Sequence, residues 1–119
     1  MVPQKKTGFS RIIKATQYSL AGIKAAFRHE AAFRQELFAL VVLLPLGIFL
    51  GRSGLERAAL IAPLLIVIIT ELLNSALEAV VDRTGLDYHP LAKRAKDLGS
   101  AAVFFSLALV IITWGVILI

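Results

Sequence analysis

Residues 98–119 read LGSAAVFFSLALVIITWGVILI, 22 positions without one charged side chain. At 1.5 Å per residue a helix of that length rises about 33 Å, enough to cross a hydrocarbon core of about 30 Å. Thr113 and Trp114 lie near its end, where an amphipathic ring suits a membrane interface. This stretch sets the class of the whole chain. The other apolar residues fall in two further blocks, and 58% of the 119 residues are apolar, with a mean hydropathy of +0.80. That distribution excludes a disordered tail, a collagen-like chain and an ordinary soluble enzyme. The length allows one domain at most.

The middle block covers residues 58–81. Its first half is apolar up to Thr70 and holds Pro63, which a membrane helix tolerates near its start. Its second half carries Glu71, Asn74, Ser75 and Glu78. Residues 37–50 form the first block, too short to span alone. Extended back to Glu30 it is long enough, with Arg34 and Glu36 near a membrane surface where long stems snorkel. Gly51-Arg52-Ser53-Gly54 reads as the turn that follows.

Ahead of these, Phe9, Ile12, Ile13, Leu20, Ile23 and Phe27 recur at helical spacing, with Lys5, Lys6, Arg11, Lys14 and Lys24 mostly off that stripe. This is an amphipathic basic helix suited to lying in the interface. No uninterrupted apolar core follows the positive start, so it is not a signal peptide. The expectation is an all-α integral membrane protein, with a surface helix over about residues 7–28. Membrane helices are expected over about 30–50, 56–83 and 94–119.

Basic residues set the topology. The first 36 residues hold seven Lys or Arg, the Gly51–Arg57 turn two, and the Asp82–Asp97 connection four. The positive-inside rule puts the N-terminus and the Asp82–Asp97 connection in the cytoplasm. The net charge of +5 and pI near 10.0 therefore favour an anionic membrane surface over nucleic acid as partner. There is no cysteine, which removes disulfides, thiolate metal sites and cysteine nucleophiles.

The chemistry lies in Glu71, Asn74, Glu78 and Asp82. At 100° per residue the last three fall within about 60° of Glu71, so all four share one stripe, with Ser75 beside it. Carboxylates on an apolar membrane helix are costly and mark functional sites by default. The structural alternative has Asn74 and Ser75 bonding between helices while the glutamates sit in headgroups. Glu30, Lys96 and Asp97 fall on the same cytoplasmic side as Glu78 and Asp82. Two readings of that cluster stand level on spacing alone. One is a hard-cation and phosphate site, since Mg²⁺ is held by one or two carboxylates plus substrate phosphates. The other is a solvated ring of interfacial ion pairs. Neither GxxxxGK[ST] nor GxGxxG occurs, so a nucleotide site here would be of another design. Ser19 and Ser100 have no histidine at useful spacing for a serine hydrolase, and a lone His89 is ordinary loop chemistry.

Four motifs together carry a resemblance. They are Gly8-Phe9-Ser10-Arg11-Ile12-Ile13-Lys14-Ala15, Glu30-Ala31-Ala32-Phe33-Arg34-Gln35-Glu36, Glu71-Leu72-Leu73-Asn74-Ser75-Ala76-Leu77-Glu78-Ala79-Val80-Val81-Asp82-Arg83, and Ala95-Lys96-Asp97-Leu98-Gly99-Ser100-Ala101-Ala102-Val103. In this order, and covering essentially the whole chain, they resemble the bacterial integral-membrane diacylglycerol kinases. The resemblance implies a homotrimer in the inner membrane that transfers the γ-phosphate of Mg-ATP to diacylglycerol. It implies Glu71 as general base and Asn74 as support for the reacting centre. Glu30 and Glu78 would hold the metal on ATP. Arg11, Tyr18, Lys96 and Asp97 would contact ATP, with Asp87, Tyr88 and His89 at the nucleotide's rim. Arg11, Ser19, Arg34, Gln35, Glu71 and Ser100 would meet the lipid substrate.

Related enzymes acting on undecaprenol share the surroundings of Glu71 and Lys96, and the run His89-Pro90-Leu91-Ala92-Lys93 is similar to theirs. Gly99-Ser100 and the basic surface helix favour the diacylglycerol branch. Phe27 stands where that branch often has Trp, and Asp87 where it often has Glu. A polyprenol kinase is thus the nearest rival, and a non-catalytic helical pore the rival from another class. A pore lining runs along a whole helix face, whereas the polar residues here occupy only half of one.

Overall fold

The computed structural model describes residues 8–83, 85 and 88–119. Its elements are α1 (Gly8–His29), α2 (Ala31–Leu50), α3 (Gly54–Asp82) and α4 (Pro90–Leu118). The described residues hold no strand. The last three helices are each long and apolar enough to cross a membrane. Helices suit that solvent because every backbone group is satisfied within the segment.

The helix ends follow from local chemistry. Ser53 caps α3, its Oγ accepting from Glu56 N at 3.1 Å. Glu56 Oε1 in turn accepts from Arg52 N at 3.0 Å. This exchange is close kin to a capping box and starts the helix at Gly54. His89 caps α4 by accepting from Leu91 N on Nδ1 at 3.1 Å, and Pro90 occupies the first turn. A proline there loses no helical hydrogen bond and is preset for the helix. His89 therefore has a structural task, and α4 begins ahead of the span expected from hydropathy.

Between α2 and α3 the chain turns tightly at Gly51. A Cβ there would stand 2.9 Å from Arg57 N and 3.0 Å from Arg57 Cα, both backbone, so only glycine fits. Arg57 Nε closes the turn by donating to Ile48 O at 3.0 Å.

α3 is the central helix and packs on both α2 and α4, while α1 touches α2 and α3 more lightly. Leu60, Pro63, Leu64 and Val67 form its buried apolar face, and Phe33 of α2 is buried as well. At one end of the bundle Trp114 Nε1 donates to Leu60 O at 2.9 Å and fixes α4 against α3. Large apolar side chains such as Phe38, Phe49, Leu73, Phe104, Phe105 and Ile111 point outward. A surface of that extent is covered by lipid or by another protein chain.

Candidate active site at the polar half of α3

The buried apolar face of α3 continues into a carboxyl group. Glu71 lies one helical turn beyond Val67 and is only 6% exposed. From α2, the Glu36 carboxyl interacts with that of Glu71. Glu36 Oε2 is buried and has no hydrogen-bond partner. Glu30, at the N-cap of α2, and Glu78, further along α3, both act electrostatically on Glu71. Glu71 thus feels the charge of three other acidic groups, Glu30, Glu36 and Glu78. Gathering like charges in an apolar wall costs free energy unless a proton or cation joins them.

Cationic charge arrives from α4. Lys96 Nζ pairs with Asp82 Oδ1 at 2.6 Å and is also within the field of Glu78. The pair links the start of α4 to the end of α3. Asp97 is turned elsewhere and pairs with Lys93 along its own helix at 2.6 Å.

Asn74 and Ser75 share an unusual state. Asn74 Oδ1 and Ser75 Oγ are buried without a hydrogen-bond partner. Such orphaned atoms are rare and call for an explanation in a ligand or a further chain. Ser75 lines a groove of about 620 Å³ between α1 and α3, together with Ser19, Ile23, Ala26, Glu30 and Ala79. A second, smaller cavity of about 280 Å³ runs from Glu36 past Leu40, Leu43, Leu64, Val67 and Val110. Both are apolar slots with a carboxyl at the edge, a shape suited to an acyl chain and a polar head.

The other site residues expected from sequence spread more widely. Arg11 and Tyr18 are exposed on α1, and no ion pair among the described residues ties Arg11 to the α3 stripe. Ser19 Oγ donates to Ala15 O at 2.9 Å. Arg34 Nη1 donates to Phe27 O at 2.8 Å and Arg28 O at 3.2 Å, which satisfies the last carbonyls of α1. Gln35, Tyr88, His89 and Ser100 are exposed. Asp87 lies outside the described residues.

Glu36 was not among the expected site residues. Its signal was available: a carboxylate within a membrane helix is a functional candidate by the same rule that selected Glu71. Its position beside arginine near the start of the span made it read as an interfacial charge.

Could the site hold a divalent cation? Among the described residues no three His, Asp or Glu side chains are gathered tightly enough to enclose one alone. Glu30 and Glu78, both within the electrostatic reach of Glu71, nevertheless offer hard oxygen donors, which suits Mg²⁺ shared with phosphate oxygens. The residues present fit the ion in that shared form.

Fold and site together define a helical integral membrane protein with a cluster of acidic side chains on its central span. The family can be stated: residues 17–118 match the prokaryotic diacylglycerol kinase family, and the chain belongs to it. It is 55% identical over 114 residues to the diacylglycerol kinase of Pseudomonas aeruginosa, covering 96% of this chain and 93% of that one. To the diacylglycerol kinase of Escherichia coli K12 it is 49% identical over 112 residues, covering 94% and 92%. To that of Helicobacter pylori strain 26695 it is 42% identical over 114 residues, covering 96% and 89%.

Proposed function

We propose that this chain transfers the γ-phosphate of ATP to the hydroxyl of diacylglycerol, giving phosphatidic acid and ADP, with Glu71 as general base. One observation carries the assignment of the base. Glu71 is the buried carboxyl of the α3 stripe, set where the apolar wall meets the acidic cluster. A lipid alcohol reaches that depth from the bilayer, and a nucleotide approaches from the polar end.

The lipid hydroxyl oxygen attacks the γ-phosphorus as the bond to the β-phosphate oxygen breaks. The hydroxyl proton passes to a Glu71 carboxylate oxygen, and ADP leaves with the electron pair of the broken bond. Such a transfer needs positioning and charge neutralisation more than covalent help. Lys96 supplies positive charge to the phosphates, with Arg11 doing so from α1. Tyr18, Asp97, Asp87, Tyr88 and His89 border the nucleotide. Glu30 and Glu78 would hold Mg²⁺, which when bound would neutralise the polyphosphate. Asn74 supports the reacting centre. Ser19, Arg34, Gln35 and Ser100 lie along the approach of the lipid. The Arg34 hydrogen bonds to the end of α1 support an indirect part in this, by fixing the wall of the groove.

The amphipathic pattern of α1 supports a position in the membrane interface. The charge of the basic N-terminal segment and of the Asp82–Asp97 connection supports a cytoplasmic site for α1 and the acidic cluster, in the inner membrane. The outward apolar faces and the orphaned polar atoms of α2 and α3 support assembly with further copies, which we take to be a homotrimer.

The test is label transfer from γ-labelled ATP by the purified protein in mixed micelles. Diacylglycerol and undecaprenol are offered separately, with and without Mg²⁺. Mg²⁺-dependent label in phosphatidic acid is the expected result. Label only in the polyprenyl product overturns the substrate, and no label from folded protein overturns the reaction.

A further inference from the structure

Asn74 has a neighbour whose importance lies in a missing atom. Where α4 packs on α3, Gly99 lies directly against Asn74. A Cβ on Gly99 would fall on Asn74 Oδ1, 3.1 Å from Asn74 Cγ and 3.4 Å from Leu77 Cδ2. The Asn74 carboxamide thus occupies the space that any other residue would fill at position 99. Its Oδ1 is buried there with no conventional hydrogen-bond partner. It faces the Cα–H groups of glycine, which are only weak donors. Gly115, on the same helix, meets nothing within 4 Å and has no such seat to provide.

We infer that Gly99 is a positioning residue for phosphoryl transfer, its bare Cα seating the Asn74 oxygen so that Nδ2 is the amide end offered to the reacting groups. The inference rests on the reading that Asn74 serves that centre. An amide is planar, with oxygen and nitrogen on opposite sides. Fixing one end therefore fixes where the other donates. A misplaced donor at a phosphoryl-transfer site stabilises developing charge poorly, because preorganised direction is what gives such groups their effect.

The physical consequence of filling the seat is unusual for a helix crossing. The atoms in the way, Oδ1 and Cγ, both belong to one short side chain, while the nearest atom of any other residue, Leu77 Cδ2 at 3.4 Å, is in ordinary van der Waals contact. Asn74 can therefore rotate aside with the backbone in place. Gly99→Ala should leave the fold and the Lys96–Asp82 pair standing while turning the amide away.

The experiment is a double-mutant cycle in mixed micelles with diacylglycerol and Mg-ATP. It compares the unmodified protein, Gly99→Ala, Asn74→Ala, the double variant and Gly115→Ala. Size-exclusion chromatography is run on each. Gly99→Ala is expected to lose on the order of 10- to 100-fold in kcat, the cost of a misplaced catalytic donor. Its KM for ATP should stay within about twofold, because ground-state binding is untouched. Added to Asn74→Ala, the glycine change should cost nothing more, since its effect runs through that side chain. Gly115→Ala should keep full turnover.

Normal kcat in Gly99→Ala overturns the inference. So does an equal further loss when Gly99→Ala is added to Asn74→Ala, which would mark a general packing role. Collapse of the chromatographic peak in Gly99→Ala does the same, as does a matching loss in Gly115→Ala. Full turnover in Asn74→Ala defeats the reading of Asn74 itself and takes the inference with it.

Discussion

Replacing Glu71 by glutamine isolates the proton acceptor from everything else Glu71 does. The side chain is 6% exposed, so its shape is set by packing, and glutamine matches that shape closely. The facing group is the Glu36 carboxyl, to which a glutamine amide can donate. That hydrogen bond contributes about 1 kcal/mol in a typical protein setting, so Glu71→Gln should fold at least as well as the native chain. Catalysis should behave oppositely. A positioned general base contributes on the order of 10²- to 10⁴-fold. That range converts to about 3 to 5 kcal/mol in the activation barrier. The proposed ATP contacts lie nearer the polar end of the stripe, so KM for ATP should move by less than about twofold. The assay is initial-rate transfer of labelled phosphate to diacylglycerol, with thermal inactivation of the same sample as the measure of folding. Turnover within a few-fold of native in a stable Glu71→Gln protein would refute the assignment of the base. Low turnover with a lowered thermal midpoint would refute the packing argument.

The remaining predictions address the rest of the site and the turn. Lys96→Met should leave the thermal midpoint nearly unchanged, because exposed ion pairs contribute little. It should raise KM for ATP on the order of tenfold, the worth of one charge-assisted contact, as read from ATP saturation curves. Glu78→Gln should raise the Mg²⁺ concentration needed for half-maximal turnover, and an unchanged metal titration would remove it as a ligand. Gly51→Ala should lower stability by about 1–3 kcal/mol, the usual cost of overpacking against backbone. Its ATP and lipid KM values should stay native, as checked by inactivation rates beside kinetics.

The three spans and the stripe of α3 were legible because each leaves a one-dimensional trace. Lipid solvates no backbone polar group, so a spanning helix must write a long apolar run into the sequence, as residues 98–119 do. Glu71, Asn74, Glu78 and Asp82 show their shared face through the helical repeat alone. Ser53 and His89 act as caps through hydrogen bonds to nearby residues, the kind of signal a sequence carries locally.

Which faces of α2, α3 and α4 meet is a different matter. In a membrane helix the side turned to lipid is as apolar as the side turned to protein, so hydropathy carries no record of rotation about the axis. The meeting of Glu36 with Glu71, the use of Arg34 to close α1, and the seat that Gly99 makes for Asn74 all depend on that rotation. Composition and periodicity settled that this chain lies in a membrane and carries carboxylates there. Packing of one helix against another decided which of those groups face each other, because only contact between side chains distinguishes one apolar face from the next.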